Sequence, residues 1–210
     1  MLKNVVLKVF KRMLPSRLFL LRRKSREPAL FLTFDDGPHP TVTPKLLDVL
    51  DQYGVKASFF VIGSNIEQYP DIAADIVRKG HTLANHSYSH PNFSKITMSE
   101  RVEQISKTDT LIEQITGKKC TYFRAPQGRW HVPTLLYLMR KRITAAHWSR
   151  DSLDYQKKEC EVIVSSFSEQ PVSNGEVILF HDDNILSTQV LTELIPRWQE
   201  QGFTLKSLEM

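Results

Sequence analysis

Two carboxylates stand side by side in FLTFDDGPHP, residues 31–40, where an apolar, branched run ends in Asp35, Asp36 and the pair Gly37-Pro38. Adjacent carboxylates at the end of a buried strand repel each other and are costly to desolvate, so something there must compensate them. Farther along, NHSYSH sets His86 and His90 at i, i+4, a spacing that on a helical turn points both rings the same way. Two imidazoles and one carboxylate make a three-ligand set for a divalent cation and leave positions open for water and substrate. Zinc is the expected ion, with cobalt or nickel tolerated by the same donors. One aspartate then binds the cation while its neighbour stays free to take a proton from bound water. Adjacent strand residues point oppositely, but a strand that ends in a Gly-Pro turn can twist both carboxylates towards one rim. The cation offsets their repulsion and acidifies that water.

The elements that must position these groups alternate along the chain. Strand patterns fall at 29–35, 56–62, 81–85, 120–124, 143–148, 177–181 and 203–207. Helical patterns lie near 43–53, 70–79, 98–116, 131–141, 156–169 and 187–201, the third opened by a T-x-x-E capping box at Thr97 to Glu100. Strand-helix alternation predicts a mostly parallel sheet with helices outside. About seven parallel strands in so short a chain predict an α/β fold of the deformed (β/α) barrel kind rather than an open doubly wound sheet. The missing GxGxxG and P-loop patterns also weaken a nucleotide-binding version. On this layout Asp35 and Asp36 end the first strand, and His86 and His90 follow the third. Arg124 ends the fourth, Asp151 and Asp154 follow the fifth, and His181 ends the sixth. All fall at carboxyl ends of strands, the face where parallel barrels collect their active sites.

The 210 residues, 41% of them hydrophobic, suit one domain of ordinary size. Net charge is +5, but the first 30 residues hold nine Lys/Arg and one Glu, leaving 19 basic and 22 acidic side chains in the rest. Basicity confined to a leader argues against a nucleic-acid partner, which would call for a basic folded face. Cys120 and Cys160 have no ligand spacing and read as two thiols. In the leader, Lys8, Lys11 and Arg12 interrupt the apolar run a signal peptide needs, and no stretch reaches the length of a membrane span. On a helical wheel Leu2, Val5, Val6, Val9, Phe10, Met13 and Leu14 share one side, opposite Asn4, Lys8, Lys11 and Arg12, and Pro15 stops the pattern. Such a segment lies on an anionic membrane face, docks as a helix on the protein's own surface, or is a frayed terminus. The sequence therefore divides into a basic amphipathic segment, 1–27, and a catalytic domain, 28–210. The expected location is cytoplasmic, peripheral on the inner membrane face.

In order and at suitable intervals, TFDDGP, HSYSH, RAPQG, DSLDY and VILFH resemble the five motifs of the polysaccharide deacetylases, the family-4 carbohydrate esterases with a NodB-homology domain. The resemblance covers roughly 29–208. It implies a deformed (β/α) barrel that hydrolyses N-acetyl, or in some members O-acetyl, groups on a polysaccharide or oligosaccharide. It assigns Asp35 as general base and Asp36, His86 and His90 as metal ligands. Arg124 would hold Asp35 in place, His181 would be the general acid, and Asp154 would support its charged form. Leu179 would line the pocket for the acetyl methyl, and a backbone N–H near Gln127 would help hold the oxyanion. Two departures stand out: Gln127 replaces an aromatic residue in the third motif, and Tyr155 replaces a Trp in the fourth. Trp130 and His131 are candidates for sugar contact, since aromatic faces suit pyranose rings. His39 reads as a loop residue, His81 as structural, and His147-Trp148 as packing near a strand end. Asp182 and Asp183 read as a helix start, and Asp151 as a solvated neighbour outside the site. Two rival readings are a metal-dependent amide or ester hydrolase acting on a non-glycan substrate, and an inactive carbohydrate-binding homologue.

Overall fold

A computed structural model describes residues 15–156 and 158–209. Its strands are β1 Phe19–Leu20, β2 Ala29–Asp35, β3 Ser58–Val61, β4 Thr82–Asn85, β5 Tyr122–Phe123, β6 Thr144–Ala146, β7 Arg150–Asp151, β8 Val177–His181 and β9 Thr204–Lys206. Its helices are α1 Val42–Gln52, α2 Gly63–Gln68, α3 Pro70–Arg78, α4 Met98–Thr116, α5 Val132–Lys141, α6 Cys160–Glu169 and α7 Ile185–Glu200, with a 3-10 turn at Pro126–Gly128. All nine strands join one sheet in the order β1-β6-β5-β4-β3-β2-β8-β7, with β9 also on β2. Every ladder is parallel. Among the described residues a single antiparallel bridge, Arg22 to Glu176, ties the chain after β1 to the start of β8. The result is the expected deformed, incomplete barrel.

The strand β2 is buried along its whole length, as the near-continuous apolar run of a central parallel strand requires. Leu30, Leu32 and Phe34 face the helices and pack with Leu46, Leu50, Leu191 and Ile195. On the other face Phe31 meets Phe60, Ala84, Ala146 and Leu208 inside the barrel. The capping box of α4 forms as its sequence predicts: the Thr97 hydroxyl accepts from the Glu100 N–H, and the Glu100 carboxylate accepts from the Thr97 N–H.

Two corrections follow. The strands β1 and β7, two residues each, have no counterpart among the seven strands read from the sequence, where the sheet has nine. Residues 15–27, expected in the leader, belong to the fold: Phe19 and Leu20 are buried and pair with Ala145 and Ala146 of β6. The amphipathic pattern of residues 2–14 lies outside the described residues. Among the described residues no helix is long and apolar enough to cross a membrane.

Candidate active site

The register between β2 and β8 sets the geometry. Asp35 lies opposite His181 and Thr33 opposite Leu179, so alternate residues of two adjacent strands project into one mouth. Asp36 takes a left-handed backbone, φ 77°, which turns its carboxylate to the same rim, as the sequence suggested for a strand ending in Gly37-Pro38. The Asn65 side chain holds the turn by donating to the Asp36 carbonyl at 2.8 Å.

His86 and His90 do not sit on a helical turn. They bracket an irregular loop with positive φ at Ser87 and His90, and this brings their rings to 4.8 Å between centroids. Several groups fix that loop. Asn85 Oδ1 accepts from Ser87 N–H, Gln104 Oε1 accepts from Tyr88 and Ser89 N–H, and the Ser87 hydroxyl accepts from His90 N–H. Of the six non-glycine residues with positive φ, five (Asp36, Ser87, His90, Gln127 and Leu153) lie in loops that build the mouth. Backbone strain of this kind concentrates at functional sites.

The donor atoms of Asp36, His86 and His90 lie within 4.8 Å of one another. Asp36 Oδ1 is buried without a hydrogen-bond partner and stands 3.5 Å from Nε2 of both histidines. That is too long for a good hydrogen bond, but it matches the edge of a tetrahedron with bonds of about 2.1 Å. His86 Nδ1 meets the Arg124 carbonyl at 2.9 Å, so Nδ1 carries the proton and leaves Nε2 a free lone pair. Burial pushes the His86 pKa down to about 3, keeping the ring in the neutral form that binds metal. These three residues fit a divalent cation.

Beside them, Asp35 is buried and accepts from Arg124 Nη1 at 2.5 Å. Arg124 is fully buried: Nη1 also donates to Thr33 Oγ1, and the guanidinium stacks over Phe60 at 4.0 Å. Burial raises the Asp35 pKa above the ordinary carboxylate range, against the pull of Arg124 and His181. Across the mouth, His181 Nδ1 meets Asp154 Oδ1 at 2.7 Å, and the His181 backbone N–H donates to Asp154 Oδ2. Burial works against the charged ring, yet Asp154, helped by Asp35 and Asp36, raises the His181 pKa to about 9. Nδ1 is held by Asp154, so Nε2 is the nitrogen free to serve the cleft. A group that releases protons late thus faces a carboxylate able to take one.

The cleft has a volume of about 340 Å³; Leu179 and Gln127 line it together with Trp148 and Tyr155. Gly128 and Arg129 N–H close the 3-10 turn onto Ala125 and Pro126 carbonyls, leaving the Gln127 N–H unused by that turn. Trp130, expected on the substrate, lies instead in the core. It is buried and packs edge-on to Phe19 at 5.1 Å and Phe123 at 6.1 Å. The aromatic wall comes from Trp148, which sequence reading assigned to packing. A Cβ on Gly128 would come within 2.7 Å of the Trp148 ring, so that glycine marks the approach. Asp151 and Asp183, left out of the site, also line the cleft. Asp151, read as a solvated neighbour of Asp154, ends β7 at the cleft wall.

The remaining candidates are structural. His131 meets Ser94 Oγ at 3.3 Å and is absent from the cleft wall. His81 is buried and accepts from the Ala57 N–H, with burial holding its pKa at about 4. His39 accepts from the Val42 N–H at the start of α1. Asp182 is buried against Gly37 and takes the Thr43 hydroxyl at 2.7 Å, and burial raises its pKa to about 7. Cys120 and Cys160 are free thiols.

A barrel of parallel strands with a two-histidine, one-aspartate triad between a buried carboxylate and a carboxylate-backed imidazole fits the class of metal-assisted hydrolases. The sequence profile described as polysaccharide deacetylase matches residues 22–146. The chain belongs to that family, enzymes that remove acetyl groups from sugar residues of glycans. It is 34% identical over 175 residues to a peptidoglycan-N-acetylglucosamine deacetylase of Bacillus cereus, covering 81% of this chain and 63% of that protein. It is 33% identical over 195 residues to a chitooligosaccharide deacetylase of Sinorhizobium fredii, covering 86% and 90% of the two. Among solved structures, a peptidoglycan N-acetylglucosamine deacetylase superposes with a TM-score of 0.85 at 31% identity, over 90% of this chain and 89% of the other.

Proposed function

We propose that this chain hydrolyses the N-acetyl group of N-acetylglucosamine residues in an oligosaccharide or polysaccharide, with a zinc ion held by Asp36, His86 and His90. The observation that carries the reading is the register of β2 and β8, which sets Asp35 and His181 opposite each other beside the ligand triad. The bound cation would supply Lewis acidity, acidifying a water molecule and polarising the acetyl carbonyl. Asp35 accepts the proton of the attacking water, and Arg124 fixes the orientation of its carboxylate. The Gln127 backbone N–H donates to the developing oxyanion, and Leu179 packs on the acetyl methyl. His181 gives its proton to the leaving amine, the step an amide needs more than an ester does, and Asp154 stabilises its charged form. Trp148 and Tyr155 offer faces for the sugar ring where Gln127 stands in place of an aromatic.

By the same reading the enzyme is cytoplasmic, against the inner membrane face; the basic amphipathic pattern of residues 2–14 is the support for this. Recovery of the protein from the periplasm on fractionation would overturn that location. The substrate is tested by acetate release, with zinc restored, across chitooligosaccharides, peptidoglycan fragments, O-acetylated glycans and simple non-sugar acetamides. Turnover confined to N-acetylated sugars supports the reading, and equal turnover of non-sugar acetamides contradicts it.

A further inference from the structure

A second cleft, of about 380 Å³, opens beside Arg17, Arg23 and Lys24 and is also lined by Ser16, Tyr122 and Thr144. Tyr122 and Thr144 begin β5 and β6, so this cleft lies at the amino ends of the strands, opposite the catalytic rim. Among the described residues no carboxylate pairs with Arg17, Arg23 or Lys24. Glu176 is paired to Arg22 at 2.5 Å, and Glu209 accepts from Thr121 at 2.7 Å. The Arg23 guanidinium donates to the Tyr122 hydroxyl at 3.0 Å and lies over the Phe31 ring at 5.7 Å, which fixes it at the barrel floor.

The helix α5 runs down to this cleft, its last residues preceding Thr144, whose hydroxyl donates to the Arg17 carbonyl at 3.0 Å. Val132, Leu136 and Met139, at i, i+4 and i+7, form an apolar ridge along it and are 54%, 47% and 41% exposed. Residues 129–142 contain Arg129, Arg140, Lys141 and Arg142 and no Asp or Glu. An exposed apolar ridge on a helix whose last turn is cationic and leads to the strand that borders a basic cleft is the pattern that suits the boundary of an anionic bilayer.

We propose that this face, α5 together with the basic cleft, docks on an anionic lipid surface, the ridge entering the headgroup layer and Arg17, Arg23 and Lys24 taking lipid phosphates. The folded face adds to any attachment through residues 2–14, and the proposal stands independently of the deacetylase reading. The test is co-sedimentation of the full-length protein with phosphatidylcholine vesicles, with and without phosphatidylglycerol, at low and high salt. Binding is expected only with phosphatidylglycerol and is weakened by salt. Arg17→Glu with Lys24→Glu, and separately Leu136→Asp with Met139→Asp, should each weaken it at least about tenfold. Both pairs should leave unchanged the melting temperature and acetate release from a soluble chitooligosaccharide. Wild-type protein that ignores phosphatidylglycerol overturns the proposal. So does binding undiminished in both double variants, because residues 2–14 alone would then account for it.

Discussion

In the proposed mechanism Asp35 and His181 divide the proton work because their surroundings differ. Asp35 is clamped by the guanidinium of Arg124, while the imidazole of His181 is backed by the buried carboxylate of Asp154. Asp35→Asn keeps the shape and the Arg124 contact but removes the proton acceptor. It should lower kcat by about 10²–10⁴-fold while metal analysis finds the zinc content unchanged. The His181–Asp154 pair makes a separate claim about pH. With its pKa raised to about 9, His181 remains an acid through neutrality and loses that role as pH rises through about 9. Its stabilising contribution has the same sign, present in full below the ordinary imidazole pKa of about 6.5 and lost through the raised one. Asp154→Asn should therefore move the alkaline limb of the kcat/KM profile down towards neutrality; a limb that stays in place would show that Asp154 does not tune the acid. Most ionisable residues that the structure gathers at the mouth were readable from sequence, because Asp, His and Arg at strand ends have few structural reasons to gather there; Asp151 and Asp183 were not. Their backbone was not: the i, i+4 histidines suggested a helical turn, and the structure uses left-handed residues in a loop held by Asn85 and Gln104.

At the scale of elements, the aromatic wall is where sequence reading failed. Trp130 and Trp148 both follow short strands, and nothing in residue type separates them. What separates them is β1, a two-residue strand whose Phe19 covers Trp130. Gly128 leaves room for the ring of Trp148 over the cleft. The two residues should respond differently to truncation. Trp130→Ala empties part of a packed cluster and should cost about 3–5 kcal/mol of stability, read by chemical denaturation. Trp148→Ala should leave stability nearer the wild type and raise KM for oligosaccharides. The reverse pattern would return Trp130 to the substrate. The longer elements were legible, since β2 and β8 carry five or more consecutive buried or rim residues and α4 carries its own capping box.

Over the whole molecule, parallel strands place all the chemistry at one end, and charge separates along the same axis. Acidic groups crowd the mouth around Asp35, Asp36, Asp151 and Asp183, and the cations Arg17, Arg23 and Lys24 line the cleft at the far end. Mouth carboxylates at this density are destabilising by themselves, and a divalent cation relieves them. The alternation of strand and helix made the barrel legible, whereas its closure was not: the bridge from Arg22 to Glu176 joins residues too far apart in sequence for any local pattern. The same barrel makes the catalytic claim a single stoichiometric one. Zinc titrated into metal-stripped, full-length protein, with acetate release from an N-acetylglucosamine oligomer as the readout, tests it most directly. The account expects no turnover without metal, a rise that saturates at one equivalent, and a flat response in His86→Ala and His90→Ala. Full turnover by the stripped protein, or none at any zinc concentration, would contradict it.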